Sequence, residues 1–95
     1  LEYFIHLMLY SSQIRAARGL LGWSQIKLAE VSGVAISTIK RMEASDVLVR
    51  AATSNIWKTQ KALETAGIIF IEPQEFGPGV RLSVDPMPTT SSFDP

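Results

Sequence analysis

Ninety-five residues, 46% of them hydrophobic, fit one small domain with a modest core. The lack of cysteine excludes disulfides and thiolate metal sites and fits a reducing cytoplasm, and no apolar run approaches the ~20 residues that span a bilayer. The net charge of zero hides a division: residues 11–61 carry +5 and the remainder −5, so the helical part presents a basic local field despite the neutral whole.

Residues 1–10, LEYFIHLMLY, are apolar and aromatic without helical or strict strand periodicity. The chain begins at Leu1 rather than methionine, which fits either a fragment or an over-extended reading frame with Met8 as the start; the stretch reads as an extension, with a dimerisation arm as the functional alternative. It lacks the basic leader and small-residue cleavage site of a signal peptide. A helix is expected from a cap at Ser11 or Ser12, with Ile14, Ala17 and Leu21 on one face and Gly22 as its stop. Arg15 and Arg18 lie on it.

The next helix is expected over 25–32. Ser24 caps it, and Trp23 and Leu28 stand at the spacing of a hydrophobic staple. Lys27 in its first turn meets the positive end of the helix dipole. Gly33 is placed where the chain must reverse, since glycine closes a helix in the left-handed conformation without steric cost. A third helix follows over about 36–42. Leu28, Ala29, Val34, Ile39 and Met42 recur at the spacing of two crossed inner faces. The outward face carries Ser37, Thr38, Lys40 and Arg41; Thr38 has the alternative of facing its own helix.

Residues 44–52 read as a loop with Arg50 placed to reach a phosphate. Val47, Leu48 and Val49 are apolar for a loop, which suits a lid on the core edge or a partner contact. Thr53 or Ser54 is expected to cap a helix running to about Ala66, with Ile56, Leu63 and Ala66 on one face and Gly67 as its end. Ser54 and Asn55 near its start are either solvated or placed to donate to a phosphate. The period then changes. Residues 68–72 read as a strand, and Val80, Leu82 and Val84 alternate with Arg81 and Ser83 as a second. The turn-rich 73–79 joins them. An isolated hairpin is marginal, so this one must pack on the helices or pair with another chain. Residues 85–95, DPMPTTSSFDP, are expected to be a disordered tail.

The run QIKLAEVSGVAISTIKRME over 25–43 resembles the helix-turn-helix of the phage Cro and repressor proteins, the XRE family. The match rests on Gln25, Ala29, Gly33, Val34, Ile39 and Glu43. It extends upstream to Arg18 in QIRAARGLLGWSQ and, more loosely, through IWKTQKALETAG, covering about 11–67. The resemblance implies a mostly α fold, a lambda-repressor-like bundle of about four helices, here followed by a C-terminal hairpin at 68–84. It implies a sequence-specific, cytoplasmic transcriptional regulator that binds double-stranded DNA as a homodimer, with the recognition helix 36–42 in the major groove.

Carried over by residue, the resemblance gives Gln25 a backbone phosphate, which a helix N-terminus also attracts. Ser37, Thr38, Lys40 and Arg41 become contacts, with Arg41 able to fork onto guanine for ~1–3 kcal/mol of discrimination. Arg18 and Glu43 become a structural ion pair. This chain departs from the pattern at Lys27, where many relatives carry Glu, and at Ala35, where a lost Ser or Thr cap costs roughly 1 kcal/mol. It also departs at Ile36, which packs on a thymine methyl or returns to the core where relatives carry a base-reading polar residue.

No enzyme is expected. His6 is the one histidine, and no metal-ligand cluster, phosphate loop or paired nucleophile and base is visible, so no cofactor is called for. The rival reading is a protein-interaction module such as an antitoxin, its hairpin binding a toxin-like partner; the weak cap at Ala35 and apolar Ile36 keep it open.

Overall fold

A computed structural model describes residues 9–44, 49, 51–72 and 77–83. The expectations for residues 1–8, Val47, Leu48, Arg50, Val84 and the tail lie outside the described residues. Four helices and a hairpin follow one another: α1 (Ser11–Leu21), α2 (Gln25–Ser32), α3 (Ile36–Glu43), α4 (Thr53–Thr65), β1 (Ile68–Ile71) and β2 (Gly79–Leu82). The strands pair antiparallel with Ile68 opposite Leu82 and Phe70 opposite Val80. No helix among the described residues is long and apolar enough to cross a membrane.

Local chemistry sets most helix ends. Gly22 takes a left-handed φ of 69° after α1. Its N–H reaches the Gly19 carbonyl at 3.2 Å while Trp23 N–H reaches that of Arg18 at 3.0 Å, the paired bonds that close a helix on glycine. Gly33 does the same for α2 at φ 76°, its N–H on the Ala29 carbonyl at 2.9 Å. Ser24 Oγ accepts from Lys27 N–H at 2.9 Å and so caps α2.

Two expected caps are displaced. At α1 the cap position belongs to Tyr10, not to Ser11 or Ser12. Ser11 is fully buried in the first turn, and the end is satisfied instead by Gln13, whose Oε1 accepts from Tyr10 N–H at 2.9 Å. At α4 the cap position belongs to Ala52, with no side-chain bond, rather than to Thr53 or Ser54. In both places the cap position falls one residue before the nearest hydroxyl, so Ser11 and Thr53 are the first residues inside their helices.

The core joins Ile14 and Ala17 of α1, Leu28 of α2, Ile39 and Met42 of α3, and Ile56 and Leu63 of α4, with Leu9, Val34, Ala62 and Ile68 around them. Ala29 and Val49 pack against its edge. Full burial of one such aliphatic side chain contributes about 1.5–3 kcal/mol. The hairpin closes one side through Phe70 and Val80. Gln13 fastens it there, its Nε2 donating to the Ile71 carbonyl at 3.1 Å and the Gly79 carbonyl at 3.0 Å. The hairpin therefore docks on its own helices through α1.

Candidate nucleic-acid interface

The site is built on α3, an amphipathic rod of eight residues. Thr38, Ile39, Met42 and Glu43 are buried, and Ser37, Lys40 and Arg41 are exposed. The exposed three stand at i, i+3 and i+4, so they share one face. Ala35 holds the cap position with no side-chain bond, and its carbonyl accepts from Thr38 N–H at 2.9 Å. The first turn of α3 thus starts with backbone contacts alone.

What aims this face is a carboxylate at the far end of the helix. Glu43 is 4% exposed. Arg18 of α1 grips it with both arms of its fork, Nε to Oε2 and an Nη to Oε1, each at 2.8 Å. The other Nη of Arg18 donates to the Trp23 carbonyl at 2.9 Å. The hydrogen bond to Glu43 holds the Arg18 guanidinium pKa above its ordinary value, against the opposing effect of burial and with added attraction from the Glu43 charge. Arg15, one turn before Arg18, donates to the Glu43 backbone carbonyl and so satisfies the C-terminal end of α3. Two arginines of α1 thereby tie down the end of α3.

Gln25 enters this cluster too. Its Nε2 donates to Glu43 Oε1 at 3.2 Å, so the amide expected to serve a phosphate also serves the carboxylate. Because an amide nitrogen carries two hydrogens, one bond to Glu43 leaves the other to be placed. Sequence reading missed both this link and the Arg15 bond. The only signal available was proximity, since the start of α2 must lie near the end of α3 once Gly33 reverses the chain.

The remaining candidates divide. Thr38, expected on the outward face, is 9% exposed and faces inward. It occupies the stripe shared with Ile39 and Met42, which corrects its placement among the contacts. Ile36 is half-buried at the first turn and stands outside the core cluster, so it does not make the return to the core expected as one alternative. Lys27 is exposed on α2, with its Nζ 5.9 Å from the Trp23 ring centroid.

A family model described as helix-turn-helix matches residues 14–65, more than half of the chain. No curated protein and no solved structure matches the chain.

Proposed function

We propose, from the premise that the chain belongs to the XRE-type helix-turn-helix family of DNA-binding regulators, that it is a sequence-specific transcriptional regulator of the Cro/repressor type. In this reading α3 enters the major groove of duplex DNA. The observation that carries it is the exposed trio Ser37, Lys40 and Arg41 on a helix whose other face is locked by Arg18 and Glu43. Arg41 forks onto guanine, Lys40 meets a phosphate, and Ser37 bonds a base edge or a phosphate. Ile36 offers its half-exposed methyls to thymine. Gln25 turns its second amide hydrogen to a phosphate, and Arg50 contacts the backbone. A domain this small reads an operator as a two-fold dimer on half-sites one helical turn apart.

Selection of bound sites from random duplex DNA tests this reading. The expected product is a palindromic consensus with guanine at a fixed half-site position. Affinity is expected to fall steeply with salt, in proportion to the phosphates neutralised. Recovery of no consensus would refute sequence-specific recognition. A second reading, an antitoxin-like interaction module, draws support from Ile71 and Leu82, which leave 37% and 40% of their surface exposed on the hairpin. Co-purification of a stable complex with a separate protein, lost on Ile71→Glu, is its expected signature.

A further inference from the structure

On the side of the fold formed by α2 and α4 lies an open groove of about 270 Å³. Val31 and Trp57 form its apolar walls, Lys58 and Lys61 its rim, and Ser32 and Thr65 lie along it. Val31 is 47% exposed and Trp57 46%, although the core is already closed by Ile56, Thr59 and Leu63 on the other side of the same helix. Trp57, Lys58, Lys61 and Thr65 fall on one face of α4 by helical spacing. The Lys61 ammonium sits 5.8 Å from the Trp57 ring centroid, within cation–π range.

The charged residues that line the groove are both cationic. No acidic residue is among its described lining residues. The carboxylate beside it, Glu64, reaches Lys61 at 4.0 Å, the outer limit of an ion pair, and shares its other oxygen with Gln60 Nε2 at 3.1 Å. A surface tryptophan beside an aliphatic wall is the kind of aromatic anchor at which binding energy concentrates in protein interfaces, and the two lysines supply charge at its rim.

We propose that this groove docks an acidic segment of a partner protein through one large apolar side chain. That side chain lies between Val31 and Trp57, and flanking carboxylates meet Lys58 and Lys61. A groove of this volume has room for one bulky side chain, not for a drug-sized ligand enclosed on all sides. Nucleic acid fits less well, since phosphates would meet the lysines and leave Val31 and Trp57 uncovered. The proposal concerns a face separate from the exposed trio of α3 and stands whether or not that trio reads an operator.

The test is affinity panning of a displayed random-peptide library on the full chain, followed by titration of the enriched peptides by isothermal calorimetry. The expected peptides pair an aromatic or long aliphatic residue with neighbouring Asp or Glu. Their affinity is expected to drop about tenfold or more in Lys58→Glu/Lys61→Glu and to be lost in Trp57→Ala. The doubly substituted chain, altered only at exposed positions, serves where Trp57→Ala lowers the melting temperature. Enrichment of no peptide, or of peptides that bind the doubly substituted chain equally well, overturns the proposal. So does a result in which that substitution abolishes duplex DNA binding with no peptide captured, which would give the groove to phosphates.

Discussion

Replacing Glu43 by alanine removes one carboxylate and leaves three donors in want of it: two from Arg18 and one from Gln25. The cost follows from burial. The Glu43 side chain is 3% exposed, so its partners meet it in a nearly dry site, whereas 22% of the Arg18 side chain reaches water. Breaking a buried pair costs about 3–5 kcal/mol. Partial rehydration of Arg18, which also keeps its bond to the Trp23 carbonyl, places this one at the low end, about 3 kcal/mol. For a domain of this size that lowers the melting temperature by roughly 12–24 °C. Urea or thermal unfolding followed by circular dichroism measures it. A double-mutant cycle with Arg18→Ala isolates the pair, with an expected coupling of about 2 kcal/mol that persists in high salt because dry pairs are weakly screened. A coupling under about 0.5 kcal/mol would refute the claim that this pair fixes α3 to α1.

Arg41→Ala is expected to remove specific DNA binding while leaving stability within about 0.5 kcal/mol, because the side chain is exposed; electrophoretic mobility shift and thermal melting check the two halves separately. Ala35→Ser supplies a hydroxyl to the uncapped first turn of α3 and is expected to stabilise by about 1 kcal/mol in the same unfolding assay. Gln13→Ala strips the hairpin of both amide bonds and α1 of its start. It is expected to cost about 2–3 kcal/mol and to speed hydrogen exchange at the β1–β2 amides ahead of the helical core.

The helical order and the hairpin were legible because their signals are local. Gly22 and Gly33 mark stops, Ser24 marks a start, and the 3.6-residue recurrence of Leu28, Ile39 and Met42 marks which faces turn inward. The caps at α1 and α4 were not, since the hydroxyls of Ser11, Ser12, Thr53 and Ser54 advertise caps, whereas these residues lie inside the helices and the cap positions fall to Tyr10 and Ala52. Gln13 was silent for a different reason. Its partners are backbone carbonyls 58 and 66 positions along the chain, and backbone carbonyls leave no mark in a sequence. The outward placement of Ser37, Lys40 and Arg41 follows from periodicity alone. Thr38 stands at the edge of the inner stripe, where periodicity assigns a residue to neither side and packing decides. The grouping of Arg18 with Glu43 came only through family resemblance, since a separation of 25 residues carries no periodic signal.

One amide side chain has a mechanical consequence. Gln13 is the hydrogen-bonded pin between the sheet and the body that carries α3, beside the apolar contacts of Phe70 and Val80. Were two copies joined through their hairpins on the proposed operator, the two α3 rods would sit about half of a ~34 Å turn from the twofold axis. Over that lever arm, a tilt of about 10° at the pin swings each rod by roughly 3 Å, close to the rise of one base pair. The pitch at which such an assembly fits its target would then be decided at Gln13, far from any nucleotide.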